Sequence, residues 1–352
     1  MQLKTVRIGN REVGTGEPVY IIAEIGSNFD GDIDRAIKLI DLVKESGADA
    51  VKFQCFHADK IVSKERFGGS RTGFQAKWTE PVYEVYRRAE LPRDWIQELF
   101  EHSEKRGITF LATPYDRAAV DILEKIGISA FKIGSGDITW LEFIEYVAKK
   151  HRPILLPTGA STLADVDEAI NTIRSTGNNE IILLQCVTNY PSKYESANIR
   201  AMRAMGETFD MPVGYSDHTS GALVPLGAVA LDACVIEKHF TDDKARKGPD
   251  HPFAMDAQEF KEMVKSIRIL EKALGSPIKR VYDEEEETMM LQRRCLCASR
   301  EIQKDSIICE NMIDVLRPFV AGALEPKYKS RILGRVAKVN YKKGDPFTWD
   351  NL

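Results

Sequence analysis

The sequence predicts an α/β fold, an eight-stranded (β/α)8 barrel of the TIM type, followed by a small β-rich domain. Three observations carry that prediction. Short runs rich in Val and Ile alternate with amphipathic helical stretches, eight such runs can be counted, and the composition changes abruptly near residue 280. Near-continuous apolarity is what a parallel strand covered on both faces requires, and its alternation with helices marks a parallel sheet. With 352 residues, 43% of them hydrophobic, the chain can bury one large core and still supply a second small unit.

Taken in order, VRIG, NRE and VG (6–14) read as a hairpin at the base of the barrel. The eight runs follow: VYIIAEIG (19–26), DAVKFQCF (49–56), TFLATPY (109–115), AFKIGSG (130–136), PILLPTG (153–159), IILLQCV (181–187), MPVGYSDH (211–218) and ACVIEKHF (233–240). Apolar residues at helical spacing predict helices over 33–45, 118–125, 163–174 and 258–274. Eight strands favour a closed barrel over an open doubly wound sheet, the alternative if two runs are misassigned. The longest interruption, 57–92, carries Gly68, Gly69, Arg71, Thr72 and Gly73, the composition of a substrate loop. The barrel with its hairpin is assigned to 1–280 and a solvated acidic linker to 281–292, where Asp283 to Glu287 form a charge run. The small domain takes 293–352. Within it SREIQKDSIICENM and KVNYKKGDPFTWDNL resemble each other with a one-residue offset, suggesting an internal two-fold.

A formal charge of −4 without a basic stripe excludes a nucleic-acid backbone as a partner. The first residues contain no apolar segment of a leader, and no stretch approaches the roughly 20 apolar residues of a membrane span. The expectation is a cytoplasmic protein with no membrane partner. Six cysteines show no CxxC spacing; Cys55, Cys186 and Cys234 lie in strand runs, as reduced core residues do.

In a (β/α)8 barrel, polar residues at the C-terminal strand ends build the site. Every run here ends that way: Glu24; Lys52 and Gln54; Thr113; Lys132 and Ser135; Thr158; Thr188; Ser216, Asp217 and His218; Glu237 and His239. Cations and hydroxyls converging on one mouth (Lys52, Lys132, Thr113, Ser135, Ser216) suit a phosphate and carboxylate substrate. Either lysine alone is also consistent with a stem snorkelling from a strand end. His218 and His239 end adjacent strands and, with Glu24 nearby, fit an open divalent-metal site; singly, each histidine fits a structural role equally well. Asp137 and Asp250 could orient a sugar hydroxyl or a water, or cap a turn.

These residues fall in motifs that make the chain resemble the sialic acid synthase family, which condenses phosphoenolpyruvate (PEP) with an N-acylated amino sugar. The motifs are IAEIGSN (22–28), AVKFQ (50–54), KIGSGD (132–137), YSDHT (215–219), IEKHFT (236–241), GPDH (248–251) and VLRP (315–318), the last in what would be a C-terminal antifreeze-like (SAF) domain. The resemblance implies N-acetylneuraminate formation from an N-acylated mannosamine-type sugar. It implies that Lys52, Thr113, Lys132, Ser135 and Ser216 hold PEP, and that His218 and His239 bind Mn2+, or Mg2+ or Co2+ in its place. It also implies that Glu24, Gln54, Tyr190 and Asp250 surround the water and sugar, and that Arg317 acts from the partner of a domain-swapped homodimer. Glu24 is the expected handler of the water proton. Phe29, Pro157 and Phe319 depart from the family pattern, standing where His, Ser and Gly are usual. Alternative acceptors are diacetamido-trideoxy hexoses, giving legionaminate-type or pseudaminate-type acids, with GPDH leaning away from the latter. From another class, a catalytically silent sugar-binding protein would keep the pocket and lose the turnover.

Overall fold

The computed structural model describes residues 4–68, 75 and 78–352. The chain divides into two compact units, Met1–Gly275 and Ser276–Leu352.

The first unit is the expected barrel. A hairpin of β1 (Thr5–Ile8) and β2 (Arg11–Gly14) precedes β3 (Tyr20–Gly26), β4 (Ala50–Cys55), β5 (Thr109–Pro114), β6 (Phe131–Lys132), β7 (Ile154–Pro157), β8 (Ile181–Cys186), β9 (Val213–Asp217) and β10 (Val235–His239). β3 to β10 close into a parallel barrel in chain order, with β10 returning to β3. Local signals set the helices between them. Asp32 accepts from the backbone N–H of Asp34 and Arg35 at the start of helix Ile33–Glu45, and capping boxes at Thr162 and Asp256 open helices Leu163–Ser175 and Ala257–Leu274.

The two-residue period of each strand sorts its side chains. Ile21, Ala23, Val51, Phe53, Phe131 and Ile236 point outward into the layer shared with the helices. Tyr20, Ile22, Ala50, Leu111, Ala130, Leu155, Ile182 and Val235 point inward and pack with Val6, Ile8 and Val13 of the hairpin, which closes the barrel's base. Above this apolar floor the next inward positions are Glu24, Lys52, Thr113, Lys132, Ser216 and Glu237, all buried. The polar residues therefore form one layer at the C-terminal end of the strands.

Phe29 is wholly buried in the outer core, with ring centroids 6.3 Å from Phe53 and 6.2 Å from Trp95. Its departure from the family pattern is thus a packing feature on the far side of β3 from the barrel interior. The segment 57–92 contains a helix, Val82–Ala89, and Gly68 ends a short turn; Gly69, Arg71, Thr72 and Gly73 lie outside the described residues.

In the second unit, β11 (Cys295–Ala298) pairs antiparallel with β12 (Ile313–Leu316). Three bridges stitch the rest: Ile302 with Tyr341, Cys297 with Pro346, and Ile307 with Val336. A shift of 39 residues carries 302 to 341, 297 to 336 and 307 to 346, so the first bridge maps onto itself and the other two exchange. That is the contact pattern of a two-fold repeat, as the paired segments suggested. Its core holds Leu296, Ile302, Ile308, Ile332, Tyr341 and Phe347. Within the expected solvated linker Asp283–Glu285 and Glu286–Gln292 are helical, and none of their residues is buried. Consecutive acids at the start of that helix suit the positive end of its dipole. Among the described residues no helix is long and apolar enough to cross a membrane.

Because Phe29 fills the outer core, Phe29→Ala is expected to lower the unfolding free energy by about 3–5 kcal/mol, measured by urea denaturation. A loss below about 1 kcal/mol would show that the ring is not a packing element.

Candidate active site

Glu237 is the hub of the polar layer. It accepts from Lys132 Nζ at both carboxylate oxygens, at 2.8 and 2.7 Å, and from Ser216 Oγ at 3.0 Å. Lys52 Nζ lies 3.7 Å from Glu237 and 2.6 Å from Glu24, and donates to Thr113 Oγ1 at 3.2 Å. Gln54 Nε2 donates to the other oxygen of Glu24 at 2.8 Å. Six strands thus deliver these groups to one place, since inward positions at one height of a barrel converge.

The charges shift one another. Burial alone would raise the Glu237 carboxyl, but Lys132 and Lys52 outweigh it and hold the group well below the usual carboxylate range. For Glu24 burial wins over Lys52, and its pKa rises. Burial lowers Lys132 despite Glu237, whereas the two glutamates raise Lys52 against the same burial. The layer therefore contains an ionised carboxylate bound to two cations and a hydroxyl, beside a second carboxyl closer to neutrality.

A cavity of about 380 Å³ opens above it, lined by Gln54, Ser135, Asp137, Thr188, Tyr190, His239 and Asp250 on its polar side. Phe56, Ile61, Trp78, Val85 and Tyr86 form an apolar wall. Gly26, at φ +57, is needed there: a Cβ would stand 2.7 Å from Asp250 Oδ2. Burial pushes Asp137 up to about 6, and its Oδ2 has no hydrogen-bond partner among the described residues. Burial and Glu24 push Asp250 up to about 7.

His218 and His239 meet at the cavity's edge with ring centroids 5.4 Å apart. The Nδ1 of His218 is 2.8 Å from the Val187 carbonyl; a carbonyl only accepts, so Nδ1 carries the proton and Nε2 keeps its lone pair. The buried Nδ1 of His239 has no hydrogen-bond partner among the described residues and lies 3.7 Å from Asp250 Oδ2. Burial pushes His218 down to about 4, and burial with the neighbouring His218 holds His239 well below its ordinary value. Two neutral imidazoles are good donors for a divalent cation. Among the described residues no group of three or more His, Cys, Asp or Glu side chains is assembled around one point. A cation here would have two protein ligands and otherwise water or substrate oxygens.

Most of the residues expected at the site are brought together. Thr158 is not: its hydroxyl donates to the Leu184 carbonyl at 3.2 Å, because it lies one position past the inward Pro157. Arg317 is an exposed residue of the second unit. The sequence reading names Glu237 among the polar strand ends without giving it a role, and it misses Tyr115 and Cys186. Cys186 Sγ contacts Ser135 Oγ at 3.1 Å, and Tyr115 lines the cavity. Period two was the available signal, since Glu237 and Tyr115 stand two residues from His239 and Thr113.

Comparison with known proteins adds independent findings. Residues 39–279 match the NeuB family and residues 293–352 match the SAF domain. The chain is 42% identical over 350 residues to an uncharacterized protein of Methanocaldococcus jannaschii, covering 99% of each. It is 39% identical to the N,N'-diacetyllegionaminic acid synthase of Campylobacter jejuni, covering 92% of this chain and 97% of that one. The crystal structure of an N-acetylneuraminic acid (sialic acid) synthetase from Leptospira borgpetersenii, in complex with citrate, is 30% identical. It has a TM-score of 0.73 and covers 82% of this chain and 96% of its own.

Glu237→Gln leaves Lys132 buried without its counter-charge and is expected to cost about 3 kcal/mol of stability. Inorganic phosphate, which can take the carboxylate's place between the lysines, is expected to return most of it. Thermal melts of both proteins with and without phosphate check this; a variant as stable as the wild type contradicts the hub.

Proposed function

The chain belongs to the NeuB family, and on that premise we propose that it condenses PEP with an N-acylated mannosamine-type sugar to give a nonulosonic acid and phosphate, with N-acetylneuraminate the simplest product. The observation that carries the proposal is the buried convergence of Lys52, Lys132, Thr113 and Ser216 beneath the cavity. Two ammonium groups and two hydroxyls form a seat for a phosphate and a carboxylate. Glu237 is the carboxylate that holds this seat together.

In the reaction, C3 of PEP forms a bond to the aldehyde carbon of the open-chain sugar, water adds at C2, and the C2–O bond to phosphate breaks. Lys52 and Lys132 hold the phosphate and stabilise its leaving charge. Glu24, raised by burial and steadied by Gln54, accepts the proton of the attacking water. Asp250, pushed up to about 7, holds a proton near neutral pH and is placed to give it to the former aldehyde oxygen. Asp137, Thr188 and Tyr190 orient the sugar from the cavity wall, and Ser135 reaches PEP from the same wall. A divalent cation, Mn2+ or a similar ion, would be held by His218 and His239 and would polarise the aldehyde as a Lewis acid.

A diacetamido-trideoxy hexose is the second acceptor reading, favoured by the apolar wall of Phe56, Ile61, Trp78 and Tyr86, which suits acetamido methyls and deoxy carbons. The legionaminic relative, at 39% identity, supports it. We further propose a dimer in which Arg317 completes the partner's site, supported by the exposed apolar Leu316 and Val320 beside it.

Phosphate release from PEP, assayed with a panel of N-acylated amino sugars, is expected only when an acceptor is present, and the best acceptor separates the two sugar readings. Lys132→Met is expected to raise KM for PEP about tenfold or more and leave acceptor KM nearly unchanged. No release with any acceptor would return the chain to a silent sugar-binding protein. To test the dimer, inactive Arg317→Ala and His218→Ala variants are unfolded and refolded together; random pairing is expected to restore roughly a quarter of sites. Activity no higher than that of the separate variants, with subunit exchange verified, rejects action in trans.

A further inference from the structure

The two histidines sit at the point where regular pairing between their strands ends. The ladder of β9 and β10 runs from Val235 opposite Gly214 to Lys238 opposite Asp217. His218 is one residue beyond the last of these rungs, so no ladder bond fixes its distance from His239. Outward-facing side chains occupy that gap. Lys238 Nζ donates both to Asp217 Oδ2 and to the Thr219 carbonyl. Asp217 in turn accepts from the Thr219 N–H and hydroxyl, each at 3.0 Å. The lysine of one strand thus grips the turn that follows the histidine of the other.

We propose that Asp217, Thr219 and Lys238 are positioning residues, a clamp behind the barrel wall that sets the spacing of the two imidazoles; this rests on the cation reading of His218 and His239. All three side chains are about 1% exposed and face away from the cavity, so none can touch a substrate. A buried ion pair is a poor source of stability, because an apolar pair of similar volume commonly serves as well or better. What this pair supplies that an apolar one would not is direction. The carboxylate shapes the turn after His218, and the ammonium fastens that turn to the strand carrying His239. Partners behind metal-ligating histidines typically change metal affinity about 10–100-fold when removed.

The test uses the full chain stripped of metal. Mn2+ binding is followed by titration calorimetry without substrate in wild type, His218→Ala, and the double variant Asp217→Asn/Lys238→Met, which removes both charges together. The double variant is expected to bind Mn2+ about tenfold or more weakly while inorganic phosphate still raises its melting temperature as it does that of the wild type. A folded double variant with wild-type Mn2+ affinity overturns the clamp. Thr219→Val keeps volume and loses only the hydroxyl bond, so it remains measurable even if the double variant does not fold. Its expected loss is about threefold or more, and unchanged affinity counts against the clamp. Binding indifferent to His218→Ala would refute the cation reading instead. The clamp is then decided by a crystal structure of the double variant, in which rings still 5.4 Å apart overturn it and a displaced His218 upholds it.

Discussion

Two ammonium groups and two carboxylates share one buried layer, and the rest of the molecule is arranged around that constraint. Lys52, Lys132, Glu24 and Glu237 are each no more than 4% exposed. An isolated charge at such a place would be neutralised or expelled. These persist because each has an opposite partner within hydrogen-bonding reach, with Thr113, Ser216 and Gln54 occupying further lone pairs and protons. The apolar floor and its hairpin close the layer from below, so a ligand can reach it only through the mouth. On the proposed reading, PEP enters a seat whose cations are already oriented and whose carboxylate can yield to phosphate. Little reorganisation is then required at the moment of reaction.

The arrangement also accounts for the departures at Phe29 and Phe319. Phe29 belongs to the aromatic packing between β3, β4 and the outer helices. Phe319 packs against Cys295, Cys297 and Ala323 in the second unit. Pro157 is a different case, since it faces inward at the height of the polar layer and offers no hydroxyl there. The seat is therefore built from the groups of β4, β5, β6 and β9.

The barrel was legible because a parallel strand covered on both faces leaves a one-dimensional signature: apolar runs ending in polar residues. Boundaries were least secure where pairing is short, as in β6, which holds only Phe131–Lys132 although the run AFKIGSG suggested more. Reading strand ends as polar found the lysines and histidines. It could not rank Glu237 above Asp217, because both are acidic residues near the end of a run, and only closure of the barrel shows which one faces inward. Thr158 was misplaced for the same reason, one residue out of register. Partners distant in sequence, such as Lys132 and Glu237, 105 residues apart, leave no local trace.

The second unit's exchanged bridges have a kinetic consequence. Residues near 302 pair near 341 and those near 307 pair near 336, so although β11 and β12 pair within the first half, that half cannot satisfy the rest of its backbone alone. Loop closure must come before any reward from pairing. A chain emerging from the ribosome can therefore form the β11–β12 pair early, but the bridges that complete the unit wait until the second half has been synthesised. The unit is completed in a late step in which the two halves condense, while the barrel, with its many neighbouring-strand contacts, can begin earlier.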